Sequence, residues 1–345
     1  MPARMPTHGG WLMALFGLRY DLRSAPGSAV AKPALYRAAL EQCAWADRLG
    51  FAMVTLSEHH GSPDGYLPSP LVMAAAIAAR TERLRIMIST LVATLYDPVR
   101  LAEDFAVLDN LSNGRILPVL SAGYVASEFE SFGKRLGERR KTMDGIAGFL
   151  RQAWTGEPFA YEGRTVCVTP RPAQARPLIW MGGSSRAAAA RAARDADNFV
   201  PSSPEFFDMY REELVKLGKP DPGPRPASLG RFLYLAEDPD AAWEEIAPYL
   251  MHENNAYAAW ADAQGVATSY RHYASAQELR DTGTYPVMTP RQLLEHIEAA
   301  GPYDMVLFHP LAGGMEPGLA WRSLRLFEQE VYPQTGLDSS RSEGT

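Results

Sequence analysis

Short, continuously hydrophobic stretches alternate with longer segments in which hydrophobic residues recur every three or four positions. The short stretches have the length of parallel strands buried on both faces, and the longer segments have the spacing of amphipathic helices. The helix predicted over 33–49 is followed by Gly50, where a C-terminal glycine is expected. Strands are predicted at 15–20, 51–56, 84–90, 115–121, 177–181, 198–200, 228–235 and 305–309.

This repetition of strand and helix predicts an α/β protein, specifically a (β/α)8 TIM barrel. Two segments depart from the repeat. Residues 158–168 contain two short strand-like runs around a turn and predict a small hairpin excursion after helix 4, which is itself predicted over 137–154. Residues 251–290 are a long aromatic insertion before strand 8, between a helix beginning near Pro239 and a helix over 290–300. The insertion suits a lid or pocket wall and equally an oligomer interface, and the sequence leaves both open.

Composition narrows the class of protein. The 345 residues are assigned to one barrel domain over 1–333 and a polar tail over 334–345 that is predicted to be disordered. A net charge of −6 without a Lys/Arg-rich stripe argues against a nucleic-acid partner. No hydrophobic stretch is long enough to cross a membrane, and two distant cysteines are typical of a reducing compartment, so a cytoplasmic location is expected.

The first candidate site is the run Glu58-His59-His60, which ends the second strand. Reactive groups of such barrels lie at the C-terminal ends of the strands. Consecutive side chains cannot all enter one cavity, and no metal-binding spacing occurs, so no metal site is expected. A histidine acting as general base is the sharper hypothesis, and a histidine pair that hydrogen-bonds the loop backbone is the alternative.

Two other strand ends carry candidate binding residues. The fifth strand ends in Gly182, Gly183, Ser184 and Ser185 before a helix, where free backbone N–H groups and hydroxyls favour a phosphate; the alternative is an ordinary capped turn. The fourth strand ends in small residues beside a tyrosine, which leaves room for a flat ring system over the barrel mouth; the alternative is a tight turn that needs Gly123. These residues are Ala122, Gly123 and Tyr124, and the polar pair Ser89 and Thr90 ends the third strand.

Five segments in order resemble the bacterial luciferase-like flavin-dependent monooxygenases, a family with FMN-dependent and F420-dependent members. Together they span nearly the whole chain, at 46–61, 84–116, 121–133, 177–200 and 306–310. The resemblance implies the same barrel, with the hairpin excursion, and a reduced flavin across its C-terminal mouth.

The resemblance also implies roles for individual residues. The flavin phosphate would bind the Gly182–Ser185 turn, with Arg186 a weaker candidate. A cis peptide bond between Ser89 and Thr90 would support the isoalloxazine, and 122–124 would line it. His59 would be the catalytic base, and His60 is a lesser catalytic candidate. Luciferase itself has an arginine at the position of Ala122, so light emission is not expected.

The implied activity is monooxygenation of a small, apolar organic substrate by reduced FMN and O2 through a C4a-peroxyflavin. No GxGxxG follows a strand, so a separate NAD(P)H:flavin reductase is expected as a partner, and relatives are commonly homodimers. The first alternative is an F420-dependent hydride-transfer enzyme. FMN is favoured because the loop over 61–68 lacks the tryptophan that many F420 enzymes have there. The second alternative is a non-catalytic flavin-binding barrel.

Overall fold

Eight parallel strands form the main sheet in the computed structural model, which describes residues 14–225, 228–229, 232–265, 270–300 and 304–337. The strands in chain order are β1 (Leu15–Tyr20), β2 (Met53–Leu56), β3 (Arg85–Val92), β4 (Ile116–Ser121), β5 (Phe159–Tyr161), β6 (Arg164–Val166), β7 (Trp180–Gly183), β8 (Asn198–Pro201), β9 (Ser228–Leu229), β10 (Tyr234–Leu235), β11 (Val287–Met288) and β12 (Met305–Phe308).

The main sheet has the order β8-β7-β4-β3-β2-β1-β12-β9. This is the circular order of a (β/α)8 barrel, with the ring open between β8 and β9 in the part of the chain that the structure describes. The predicted fold class is therefore confirmed. The predicted excursion is also present, because β5 and β6 form an antiparallel hairpin that turns at Glu162 and Gly163, both with positive φ.

Helices follow the strands and cover the outside of the sheet. Their sequence signals are visible as caps: Asp97 accepts hydrogen bonds from two N–H groups at the start of α3, and Gly50 ends α1 in the left-handed conformation. The helices are α1 (Lys32–Leu49), α2 (Pro70–Ala78), α3 (Pro98–Ser112), α4 (Ala126–Ser131), α5 (Arg139–Met143), α6 (Ile146–Ala153), α7 (Arg186–Asp195), α8 (Pro204–Lys216), α9 (Pro239–Gln264), α10 (Ala276–Asp281), α11 (Pro290–Ala299) and α12 (Pro317–Leu326). No described helix combines the length and the hydrophobicity that a membrane span requires.

Two predicted elements are divided in the structure. The helix predicted over 137–154 is interrupted at Gly145, whose φ of 92° is outside the helical region, so α5 and α6 are separate. The strand predicted over 228–235 is also two pieces. β9 pairs with β12 in the barrel, whereas β10 pairs with β11 from the insertion in a small second sheet.

The predicted insertion over 251–290 begins inside a helix. Helix α9 is 26 residues long, runs through Met251 to Gln264, and is followed by Gly265 in the left-handed conformation. It continues because its buried face continues at helical spacing through Leu250, Glu253 and Ala261. Residues 266–269 of the insertion lie outside the described residues. Of the predicted tail, 334–337 are described, with Thr335 buried, and 338–345 lie outside.

Candidate functional site

A cavity of about 560 Å³ opens at the C-terminal ends of β2, β3, β4, β7 and β8. This volume lies within the range that small-molecule and cofactor sites occupy. The structure brings ten of the twelve residues that the sequence analysis named to its wall: His59, Ser89, Thr90, Ala122, Gly123, Tyr124, Gly182, Gly183, Ser184 and Ser185. His60 and Arg186 are the two that are not among them.

The cavity wall at β3 is built around a non-proline cis peptide bond between Ser89 and Thr90. The bond implied by the family resemblance is therefore present. The Thr90 hydroxyl donates to Ser121 Oγ on β4 at 2.9 Å, and Ser121 donates in turn to the Leu91 carbonyl at 3.3 Å. These hydrogen bonds join the C-terminal ends of the two strands at the place where their pairing register shifts.

Glycines let the backbone approach closely at two points of this wall. A Cβ on Gly182 of β7 would lie 2.4 Å from Thr90 Cγ2, so a larger residue would collide with the cis-peptide segment. Gly123 has a φ of 68°, and a Cβ there would lie 2.6 Å from Val92 Cγ1. Only glycine fits either position without movement of its neighbours.

The turn after β7 has the features of an anion site. Ser185 caps α7, its hydroxyl accepting from the Ala188 N–H at 3.2 Å, and Ser184 lines the cavity beside it. Three arginine side chains line the same cavity: Arg139 and Arg140 from α5, and Arg191 from α7. The helix N-terminus and the guanidinium groups together favour a negatively charged ligand group.

Sequence reasoning missed these arginines and named a different one. Arg186 is absent from the cavity wall and pairs with Glu212 on α8 at 3.1 Å. The run Arg139-Arg140 was the available signal, but a charged run before a helix is more commonly a solvated face. The Arg191 side chain already has one partner, because its Nε donates to Asp144 at 2.9 Å. That hydrogen bond lowers the pKa of the Asp144 carboxyl.

His59 is held by a buried carboxylate. Its Nδ1 lies 2.8 Å from Glu128 Oε1 on α4, and the same oxygen accepts from the His60 N–H at 2.9 Å. An ionised Glu128 accepts from Nδ1–H, which leaves Nε2 as the nitrogen able to take up a proton. Glu128 was not named from the sequence, since its partner is 69 positions away.

Aromatic side chains surround the His59 ring. The Trp260 ring centre lies 4.2 Å from it, Tyr66 at 4.9 Å and Tyr124 at 5.8 Å. Burial raises the pKa of Tyr66 to about 12 and also raises the pKa of Tyr124, so both phenols are neutral near pH 7. Because Trp260 belongs to α9, the first part of the insertion forms a wall beside His59.

His60 supports the site from outside the cavity. Its ring centre lies 4.7 Å from that of Phe132, and its Nε2 lies 3.0 Å from Glu58 Oε1. Glu58 itself lines the cavity and accepts from the Tyr96 hydroxyl at 2.6 Å and from the Val92 N–H. Burial, together with the Glu58 carboxylate, raises the pKa of Tyr96. Glu58 therefore connects the end of β2 to the end of β3.

Comparison with known proteins agrees with this geometry. A model of the luciferase-like monooxygenase family matches residues 18–301. The chain belongs to this family. The family contains monooxygenases and other oxidoreductases, so the protein is an enzyme of the luciferase-like class.

Individual relatives include enzymes that use different cofactors. The solved structure of monooxygenase RslO1 from Streptomyces bottropensis has a TM-score of 0.70 and 25% identity, with 92% of this chain and 99% of that chain covered. The oxygenating constituent of 3,6-diketocamphane monooxygenase from Pseudomonas putida, in complex with FMN, has a TM-score of 0.70, 17% identity and coverage of 93% and 98%. This second likeness is one of fold.

A curated relative is F420-dependent. The F420-dependent glucose-6-phosphate dehydrogenase of Microbacterium testaceum is 30% identical over 184 residues. The match covers 49% of this chain and 54% of that relative, so it spans about half of each protein. The family and the oxidoreductase class are therefore shown, whereas these relatives differ in cofactor and in substrate.

Proposed function

We propose that the protein is a flavin-dependent monooxygenase that uses reduced FMN and molecular oxygen on a small, apolar organic substrate. The observation that carries the proposal is one cavity that combines the strand-end segments 89–90 and 122–124, the serine and arginine anion site, and the His59–Glu128 pair. Glycines at its wall allow the strand-end segments to pack closely around it, since a Cβ on Gly123 or Gly182 would collide with a neighbouring side chain.

The residues present fit FMN. The Ser184 and Ser185 hydroxyls and the N–H groups at the start of α7 would hold the phosphate, and Arg139 and Arg140 would balance its charge. The ring system would lie over the segments 89–90 and 122–124, which line the same cavity. A cavity of about 560 Å³ has room for one flavin.

When bound, the reduced flavin supplies the electrons with which oxygen is activated. The protein itself positions the flavin and the substrate, excludes water and moves a proton. His59 Nε2 accepts or returns the proton, and Glu128 holds the ring in the tautomer that permits this. Tyr66, Tyr124 and Trp260 keep the surroundings of His59 apolar, which limits water.

An F420-dependent hydride transferase is the second candidate, and the F420-dependent relative from Microbacterium testaceum favours it. Anaerobic titration with reduced FMN and, separately, with reduced F420 distinguishes the two. The expected result is saturable binding of FMN that Ser185→Ala together with Arg139→Ala weakens by about tenfold or more, since charge-assisted phosphate contacts are lost. Binding of F420 alone would favour hydride transfer.

The non-catalytic alternative predicts no role for His59. We expect His59→Gln to bind reduced FMN as the parent protein does and to lose most of its oxygenating turnover. His60→Gln serves as the matched control, because His60 does not line the cavity. If both variants kept their turnover, His59 would not be the catalytic base.

The proposal includes a partner enzyme. A separate NAD(P)H:flavin reductase would supply reduced FMN.

The proposal also includes a homodimer. It would cover three exposed hydrophobic side chains on the neighbouring helices α2 and α3, Val72 (71% exposed), Val107 (46%) and Leu111 (54%). Sedimentation of the parent protein should give twice the chain mass, and Val107→Glu should shift it toward the monomer; a monomeric parent protein would contradict the dimer.

A further inference from the structure

A chain of charged side chains lies beneath α9, at the C-terminal ends of β1 and β12, and it lies outside the cavity. Acidic and basic groups alternate along it, and its members come from α9, from β1 and the segment after it, and from the segments that follow β2 and β12. In order they are Arg19, Glu253, His309, Asp21, Arg23, Asp64 and His252.

His309 is the middle of this chain and bridges two carboxylates. Its Nδ1 lies 3.2 Å from Glu253 Oε2 on α9, and its Nε2 lies 3.7 Å from Asp21 Oδ1, just after β1. All three side chains are fully buried. His309 therefore lies directly between the barrel and α9.

Each of the two carboxylates also has an arginine on its other oxygen. Arg19 Nη1 lies 3.3 Å from Glu253 Oε1, and Arg23 Nε lies 3.1 Å from Asp21 Oδ2. The chain then continues through Asp64, whose Oδ2 lies 3.6 Å from Arg23 Nη1 and 3.1 Å from His252 Nε2. Two consecutive residues of α9, His252 and Glu253, are thus attached to the barrel.

An imidazolium at His309 makes the positive groups Arg19, Arg23 and His309 equal in number to the carboxylates of Asp21, Asp64 and Glu253, and buried charge without such balance is costly. His252 and the Lys32 ammonium lie at the partly exposed end of this chain, beside Asp64. Burial by itself would lower the pKa of His309, but the Glu253 and Asp21 carboxylates raise it above its usual value. A divalent cation among these groups would add two positive charges beside the two arginines.

The charged chain contacts the residues that pack on His59. One turn beyond Glu253, the Tyr257 hydroxyl accepts from Arg19 Nη2 at 2.9 Å and lies 2.8 Å from the Tyr66 hydroxyl. The Arg23 guanidinium lies 4.3 Å from the Tyr257 ring centre and 5.0 Å from that of Trp260. A displacement of α9 would move these aromatic rings together.

We propose that His309 is a positioning residue for the oxygenation reaction: it holds α9 against β1, and α9 holds Trp260 on the ring of His59. Its importance for catalysis rests on the function proposed above for His59. The contact it maintains is a property of the protein without flavin or substrate.

Amide hydrogen exchange of α9 in the cofactor-free protein tests the first half of this proposal. A group whose pKa is raised on folding stabilises below its unfolded pKa, and that stabilisation is lost as pH rises through the folded pKa. In the parent protein, α9 should therefore open more readily as pH rises from about 6 to 10. His309→Gln should open α9 about tenfold more at neutral pH, since two buried carboxylates lose a partner, and should show no further rise.

His296→Gln is the matched control, because it makes the same chemical change at an exposed histidine on α11. It should keep the parent pH dependence. Protection of α9 that is the same in His309→Gln as in the parent would overturn the proposal. If His309→Gln fails to fold, the pH dependence of amide exchange in the parent protein still tests the proposal. Opening of α9 that does not change with pH would overturn the proposal too.

The NMR signals of ¹⁵N-labelled histidine rings test the second half. In His309→Gln the His59 ring signals should shift, because the Trp260 ring no longer lies 4.2 Å away; in His296→Gln they should not. If α9 opens more readily but the His59 signals do not change, the positioning role is overturned. A stoichiometric divalent metal that a chelator removes from this cluster would overturn it as well. Neither result depends on FMN, so failure of the proposed function alone would appear instead as absent FMN binding.

Discussion

At the scale of single residues, the site depends on contacts between groups far apart in the chain. Strand-end patterns and the family resemblance placed ten cavity residues from sequence, because the C-terminal ends of barrel strands meet at one mouth. Glu128 and Arg139 could not be found this way. Each reaches the site from a helix whose docking depends on the assembled fold.

The Glu128 carboxylate should matter for the reaction and little for cofactor binding. Glu128→Gln retains the shape but weakens the bond that fixes the His59 tautomer, so turnover should fall by about tenfold to a hundredfold. Affinity for reduced FMN, measured by anaerobic titration, should stay within about twofold. An equal loss of both would mean that Glu128 maintains the cavity itself.

Gly182 gives a prediction about stability. A Cβ there would meet Thr90 Cγ2 at 2.4 Å, so Gly182→Ala should destabilise the fold by about 1–3 kcal/mol in urea unfolding. Gly148→Ala is the control, since no atom lies within 4 Å of its Cβ and the position is inside α6. The control should be neutral or up to about 1 kcal/mol more stable. Equal effects of the two substitutions would contradict the packing described.

At the scale of elements, local signals predicted α1 and β1 well, because caps and hydrophobic periodicity depend on neighbouring residues. The same reasoning ended α9 too early. The face that α9 buries there carries the polar residues Glu253 and Asn254. Their partners lie elsewhere in the chain: Glu253 pairs with Arg19 on β1, and the Asn254 side chain donates to the Arg271 backbone carbonyl. Because Glu253 and Asn254 are hydrophilic, the hydrophobic periodicity of the sequence does not show that this face of α9 is buried.

Asp47 connects two elements and gives a pH-dependent prediction. On α1, its carboxylate accepts from the N–H groups of Arg83 at 2.8 Å and Leu84 at 2.6 Å, just before β3. Burial opposes ionisation, but these hydrogen bonds prevail and lower the pKa of Asp47. A lowered pKa gives stability that is present above the unfolded pKa and is lost as pH falls through the folded one.

Asp47→Asn should therefore cost about 1–3 kcal/mol in urea unfolding at pH 7, because an amide satisfies fewer of these donors. The difference from the parent protein should narrow as pH falls through the depressed pKa. Asp104→Asn, on the surface of α3, should change stability by less than about 0.5 kcal/mol. A gap between parent and Asp47→Asn that stays constant with pH would rule out this origin.

At the scale of the whole molecule, repetition of βα units predicted the barrel, since few topologies accommodate so many parallel strands. The split of the seventh strand into β9 and β10 was not predictable from local pattern. It depends on β11, which arrives from the insertion more than 50 positions later and pairs with β10.

The most direct test of the central claim is the reaction of the FMN-loaded enzyme with oxygen. The protein is saturated anaerobically with reduced FMN and mixed with oxygenated buffer while its absorbance is recorded. We predict a transient spectrum, distinct from those of reduced and oxidised FMN, that lasts for seconds or longer in the parent protein and for a shorter time in His59→Gln. Immediate appearance of oxidised FMN with one equivalent of hydrogen peroxide, in both proteins alike, would contradict this prediction.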